Sequence, residues 1–373
     1  MPPPGRAETS KAEDNKDSKD NKDEEIPDMS LVSLKSLPSC LVARESRAMI
    51  VDVHNHFYPP SYLDALRSGA SSVRVAEDAE GNLLLYYPGD YNIAVRGHRD
   101  IAYRAGVLVE QGVDLQVLSL TTPGTHVESP ATAARLASLV NDAFAGVVRD
   151  WKGHFAALAT LPLNDPAAAA RELERALTEL GLPGAMLFSN VNGVALADPR
   201  FWPLYEIADS FAAVLHIHPT APVGVEAMTD FWLMPLVGFP FDTTLAAAKL
   251  VFAGVGERFP HIRWVLSHLG GAIPYLAERL DRGFHAFREC RAHIERPPSD
   301  YLRQMYYDTV NFDRGSLQLA VSFAGADHIL AGSDYPHQIG SIPAMLAALR
   351  ALPIAEPDKA KILGDNAARL LEL

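Results

Sequence analysis

From Ile50 onward, short β-branched or apolar runs alternate with longer Ala-rich stretches of helical period, and that alternation leaves few folds open. Eight runs read as strands: Ile50 to Val53, Leu115 to Leu120, Phe155 to Leu161, Gly184 to Phe188, Ala213 to His218, Ile262 to Ser267, Met305 to Asp308 and Ile329 to Ala331. The segments between them, such as Pro130 to Arg149, Pro166 to Leu180 and Thr243 to Phe259, are amphipathic and open with Pro or Thr, as helix starts prefer. Eight such units predict an α/β fold of the (β/α)₈ (TIM) barrel type. The stretch from Ser61 to Gly112 is too long for one crossover, so it is expected to hold a small inserted hairpin, Val73 to Tyr87, over the barrel mouth.

Barrels of this kind gather their active sites at the C-terminal ends of the strands, and the polar residues here obey that rule. His54 and His56, in Val-Asp-Val-His-Asn-His, end the first strand two positions apart and so share a face. His216 and His218 end the fifth strand, His268 follows the sixth in Leu-Ser-His-Leu-Gly-Gly, and Asp334 follows the eighth in Gly-Ser-Asp-Tyr-Pro-His. A lone His-x-His pair is as readily a packed pair as a ligand pair. With His218, His268 and Asp334 at matching strand ends, an accident would need several coincidences, and a metal site is the expectation. His216 is read as a ligand, as a group orienting the ligands from behind, or as a packed histidine, with the orienting position favoured. His337, three residues past Asp334, is a candidate substrate contact, whereas His261, His285 and His293 fall away from the strand ends and receive no role. Gly270 and Gly271 read as a tight turn with close backbone approach rather than a phosphate cradle, because no Lys-Ser/Thr follows.

The 373 residues, 48% hydrophobic, are enough for one large core and a tail. A formal charge of −13 repels phosphate backbones and anionic membranes, so neither nucleic acid nor membrane is an expected partner. Cys40 and Cys290 are far apart, which argues against a disulfide framework and for a reducing compartment. The start lacks a signal-peptide core and no segment reaches the length of an apolar span, so a cytoplasmic protein is expected. Residues 1 to 30 carry five basic and nine acidic residues with almost no bulky apolar ones. The expected division is therefore a disordered charged tail over 1–48 and a catalytic domain over 49–373.

The run Val-Asp-Val-His-Asn-His-Phe-Tyr-Pro-Pro at 51 to 60, Leu-His-Ile-His-Pro at 215 to 219, Phe-Trp-Leu-Met-Pro-Leu-Val-Gly-Phe-Pro from 231, Leu-Ser-His-Leu-Gly-Gly from 266 and Gly-Ser-Asp-Tyr-Pro from 332 together resemble the amidohydrolase superfamily. Within it they resemble the aminocarboxymuconate-semialdehyde decarboxylase-like (amidohydrolase 2) family, over nearly all of 50 to 373. That resemblance implies one divalent metal, zinc first and manganese second, on His54, His56, His218 and Asp334, with His268 acting on water or substrate and Asp334 also moving a proton. It implies a metal-dependent, non-oxidative decarboxylase of a small aromatic or hydroxybenzoate-like carboxylic acid. A metal-dependent hydrolase of an amide, lactone or activated carbon–carbon bond is the alternative, since fold and ligands do not separate the two. His-Phe-Tyr-Pro-Pro and His-Pro-Thr-x-Pro also resemble a fungal branch acting on 6-methylsalicylate. Leu85 stands where the semialdehyde enzyme has a substrate-binding arginine, which counts against that substrate; Arg96 is a possible replacement for the charge. Arg279 coincides with an arginine that the semialdehyde enzyme takes from the neighbouring subunit, which implies a homodimer; its residue-level reading is otherwise surface charge.

Overall fold

The computed structural model describes residues 48–88 and 90–373, so the expected charged tail, Ala48 apart, lies outside the described residues. In chain order the strands are β1 Val51–His56, β2 Arg74–Glu77, β3 Leu83–Tyr87, β4 Asp90–Ala94, β5 Leu115–Ser119, β6 Phe155–Ala157, β7 Gly184–Phe188, β8 Asn190–Val191, β9 Val194–Ala195, β10 Val214–His218, β11 Arg263–Leu266, β12 Tyr306–Asp308 and β13 Ile329–Leu330. Two parallel sheets, β1-β5-β6 and β13-β12-β11-β10-β7, hold the eight runs expected from the sequence. They join into one ring. Ala159 and Gly184 close the β6–β7 seam through Ala159 N–H to the Gly184 carbonyl at 2.9 Å, and Val53 N–H to the Ala331 carbonyl at 2.9 Å closes β13 onto β1.

Strands buried on both faces need apolar side chains both ways, and the ring shows how the site interrupts that rule. Val51, Val53, Leu115, Val117, Ala156, Leu158, Val214, Val265 and Leu330 form a separate core cluster with Ala367, Leu370 and Leu371 of the helix Asn366–Leu371. These residues fill the barrel interior below the polar layer. A register shift in β1 between Asp52 and Asn55 opposes β5 with one extra residue. Such a bulge re-aims the following side chains, and His54 and His56 continue upward from that apolar floor. Gly332 makes room for them: a Cβ there would lie 2.8 Å from the Cβ of His54 and 3.0 Å from that of Asp308.

The insertion is larger than the hairpin expected from Val73 to Tyr87. It is a three-stranded antiparallel sheet, β2-β3-β4, in which Leu83 pairs with Glu77 on one side and Ala94 on the other. The mixed composition of Asp-Tyr-Asn-Ile-Ala hid β4, because a strand half facing a polar mouth has no clean alternation. The sheet is fastened to the barrel by Asn92, whose amide donates to the Thr122 carbonyl at 3.1 Å, and by Glu128, which accepts from Ser72 N–H at 2.9 Å. Among the described residues no helix is long and apolar enough to cross a membrane.

Candidate metal centre and the cavity above it

His54 and His56 close β1, and both rings are buried with their Nε2 atoms only 3.2 Å apart. The Asp334 Oδ1 lies 3.2 Å from the His56 Nε2 and 3.4 Å from the His54 Nε2. His218, at the end of β10, brings its ring centroid to 4.7 Å from that of His56 and 5.1 Å from that of His54. Ligand atoms of His54, His218, His268 and Asp334 all fall within 4.8 Å of one another. The residues expected to meet therefore do meet, and the convergence is a His/Asp site for a divalent metal ion.

Each of the three first-named histidines is held from behind. The Nδ1 of His54 meets the Asp308 Oδ2 at 2.5 Å, that of His56 meets the Ser119 Oγ at 3.2 Å, and that of His218 meets the Pro219 carbonyl at 2.8 Å. With Nδ1 engaged, the lone pair available to a metal is on Nε2, which is where the three rings converge. Donor spacings of 3.2 to 3.4 Å agree with the ~3.3 Å edge of a tetrahedron with ~2.0–2.1 Å metal–nitrogen bonds. Buried donors in such a set fit a cation better than they fit one another.

The electrostatics point the same way. Burial works against charge on His54, but the carboxylates of Asp308 and Asp334 outweigh it and push the imidazole up to about 10. His56 and His218 are held well below the ordinary imidazole range, chiefly by burial, and so remain neutral donors. Burial alone would raise Asp334; hydrogen bonds from His268, His54 and His56 keep its carboxyl well below the usual range. Two buried carboxylates thus demand positive charge at the point where three nitrogens converge, a demand that a divalent cation meets.

His268 and Asp334 follow their strands rather than belonging to them, and both have positive φ, 53° and 58°. Backbone of that kind costs roughly 1–3 kcal/mol per residue outside glycine, and here it turns both side chains over the cluster. Gly271, at φ 60°, would place a Cβ 2.0 Å from the Pro240 carbonyl oxygen, so the turn after His268 requires glycine. The His268 Nε2 stands 3.8 Å from the Asp334 Oδ2, while its buried Nδ1 has no protein partner among the described residues.

His216 sits behind the cluster, its Nε2 3.0 Å from the Ser267 Oγ and 3.6 Å from the Asp308 Oδ2, and it does not line the cavity. His337 does line it, with its ring 4.9 Å from that of His56. Arg279 is exposed on the helix Ile273–Ala286 and Arg96 pairs with Asp100 at 3.0 Å; neither lines the cavity of its own chain. Leu85 is buried in the core. Sequence reasoning missed Asp308, which ends β12 and braces both His54 and His216, and Ser119, which ends β5 behind His56. It also missed Arg104, fully buried, which donates to the Asn55 Oδ1 at 2.7 Å, the Gln116 Oε1 at 3.0 Å and the His56 carbonyl, pinning the end of β1.

Above the cluster opens a cavity of about 340 Å³, with His218, His268 and Asp334 among its lining residues. A closed parallel barrel with this site at its strand ends defines a metal-dependent barrel enzyme. A family model described as amidohydrolase matches residues 51–373, and the chain belongs to that family. It is 34% identical over 264 residues to a 2-amino-3-carboxymuconate-6-semialdehyde decarboxylase of Dictyostelium discoideum, covering 70% of this chain and 73% of that one. It is 30% identical to a 6-methylsalicylic acid decarboxylase of Penicillium expansum, over 77% of this chain and 85% of the relative. The crystal structure of a dihydroxybenzoic acid decarboxylase from a Polaromonas species, with bound manganese and the inhibitor 2-nitroresorcinol, superposes with a TM-score of 0.74 at 26% identity, covering 88% of this chain and 98% of that one.

Proposed function

We propose that the chain is a metal-dependent carboxy-lyase that releases carbon dioxide, without an oxidant, from a small aromatic acid of hydroxybenzoate type. The observation that carries this reading is the nitrogen and carboxylate cluster at the floor of a mostly apolar cavity, in a chain whose relatives decarboxylate salicylate-type and dihydroxybenzoate acids. His54, His56, His218 and Asp334 hold the ion, which when bound supplies Lewis-acid polarisation of substrate oxygens.

The remaining chemistry belongs to the protein. Decarboxylation replaces the bond from the ring carbon to the carboxylate by a bond to hydrogen, so a proton has to be held beside that carbon. Asp334 and His268 line the cavity with the Oδ2 and Nε2 atoms facing each other, and that pair stores the proton and delivers it. His337 contacts the substrate from the same wall, and His216 keeps Asp308 and His54 in place from behind.

We assign one ion per chain, zinc by the donor spacing, with manganese second on the strength of the manganese-bound relative. Residues 49–373 form the catalytic unit, since the backbone of Met49 packs against Gly364 and Ile50 is buried. We also assign a cytoplasmic homodimer. Phe241 and Leu245 on one helix and Tyr275 on the helix packed against it are large, apolar and exposed, with Arg279 one turn beyond. Elemental analysis, followed by carbon dioxide release from a panel of hydroxybenzoates on zinc- and manganese-loaded protein, tests the assignment. Turnover of amides or lactones with no carbon dioxide from any aromatic acid would refute it, as would two tightly bound ions per chain.

A further inference from the structure

We infer that the ring of the substrate carries an apolar substituent larger than methyl and no second ionised group. The inference rests on the decarboxylase reading and narrows it. Size is the first argument: the cavity of about 340 Å³ is more than twice the ~150 Å³ of an apolar cavity that takes benzene. A bare hydroxybenzoate, with ten non-hydrogen atoms to benzene's six, takes about 250 Å³ at the same packing and leaves room for a substituent of a few carbons.

The second argument is what the extra space is made of. Trp232, Leu236 and Ile339 line the cavity yet are 59%, 51% and 58% exposed, so large apolar surfaces at its mouth stand in water. Tyr91 on β4 faces Trp232 with ring centroids 6.1 Å apart, and Ile93 and Met234 continue the two walls. Covering these surfaces with an alkyl chain or a second ring gives the ligand affinity that a polar substituent would not.

Charge is the third. The lining contains Asp90 and Asp334 and neither lysine nor arginine. Asp90 is held by the Tyr87 hydroxyl, which donates to it at 3.0 Å. A second carboxylate on the substrate would enter a partly desolvated space with Asp90 for company and no lysine or arginine of this chain to pair with, the ion at the floor being taken by the first carboxylate. Such a site separates monoanionic from dianionic acids, even though the first-named relative acts on a dicarboxylic semialdehyde.

The test is a series of 2-hydroxybenzoates carrying methyl, ethyl and propyl at position 6, with 4-hydroxyisophthalate as the dianionic comparison. The expected result is a rise in kcat/KM of about fourfold per methylene, the equivalent of ~0.8 kcal/mol per buried CH₂, with the dianion at least about tenfold weaker as an inhibitor than the propyl acid is as a ligand. Trp232→Ala and Leu236→Ala should shrink the gain per methylene toward onefold. A flat or falling series overturns the size argument. A dianion that competes as well as the propyl acid, and loses that ability in Arg279→Ala, overturns the charge argument by showing that a second copy supplies the cation. Dissociation constants of the corresponding 3-alkylphenols separate the two levels of inference. If they tighten about fourfold per methylene while no acid releases carbon dioxide, the decarboxylase reading fails and this one stands; carbon dioxide release with a flat series has the opposite meaning.

Discussion

Replacing Asp308 by Asn removes one charge behind His54 and, with the oxygen kept on the Oδ1 side, puts an NH2 where the Oδ2 met the His54 Nδ1. The amide oxygen can still accept from Val310 N–H, now at 3.0 Å to the Oδ1, and from Leu269 N–H at 3.3 Å, so the backbone that follows β12 keeps its partners. Two effects on metal binding follow, and they oppose each other. A carboxylate that accepts from a ligand histidine strengthens that ligand, and its loss typically weakens metal binding or activity about 10- to 100-fold. The same carboxylate is the chief influence raising His54 to about 10 in the metal-free protein, so at pH 8 an incoming ion has to displace a proton held by two pK units, about 3 kcal/mol. The variant sheds part of that competition. Near pH 8 the two effects offset one another, so a single dissociation constant is uninformative and its pH slope is decisive. In the parent protein zinc affinity, measured by competition with a chromophoric chelator, should tighten about tenfold per pH unit between pH 7 and 9, because one proton leaves His54 for each ion bound. In Asp308→Asn that slope should flatten, and turnover should fall about 10- to 100-fold. Parallel slopes in the two proteins would show that Asp308 is not what holds the His54 proton, and the account of how the ligand is tuned would fail.

Three further predictions rest on separate contacts. His268→Ala should retain its metal yet lose on the order of 10²- to 10⁴-fold in turnover, whereas Asp334→Ala should lose both; a metal-free or near-normal His268→Ala protein would move the proton role to another histidine, His337 first, since it lines the cavity and His216 does not. Gly332→Ala, whose new Cβ would fall within 3.0 Å of two site side chains, should lose metal affinity and about 1–3 kcal/mol of stability, measured by chelator competition and urea unfolding. His126 is buried and its imidazole is lowered from 6.5 to about 4, so the folded state favours the neutral ring. Stability from that preference is complete above pH 6.5 and is lost as pH falls toward 4, by up to about 3 kcal/mol. His126→Gln should show a shallower acid slope in urea unfolding, and an unchanged slope would remove His126 from the explanation.

The barrel was legible in the sequence because a strand buried on both faces has to be apolar and β-branched, and eight such runs separated by amphipathic helices admit few closed arrangements. The His/Asp cluster was legible because histidine pairs at strand ends are chemically conspicuous. What stayed hidden was polar but commonplace. Ser119 and Asp308 end their strands as His218 ends β10, yet serine and aspartate at a strand end also read as turn residues. Register would have found both. Val117 belongs to the interior floor, and Ser119 lies two residues further on the same face; Val214 stands in the same relation to His216 and His218. Tyr306 packs against that floor and Asp308 follows it by two. In a strand without a bulge, a polar residue two or four positions beyond an inward-facing apolar one points into the barrel, where only the site can satisfy it; β1 departs from this, because its bulge turns His54 and His56 inward where the parity of Val51 and Val53 would place Asn55. The rule stops at the strand ends. His268 and Asp334 reach the cluster through positive-φ turns after the ladder has finished, and no alternation of period two foretells which way such a turn throws a side chain. The same limit applies to the cavity walls, whose Trp232 and Ile339 come from turns and Leu236 from the π-helical turn Met234–Gly238 between two barrel strands. In this barrel the histidines at the ends of β1 and β10 are therefore written in the strands, and Asp334, His268 and the side chains at the cavity mouth in the connections between them, so the series of alkylated acids addresses the part of the proposed function that strand periodicity cannot encode.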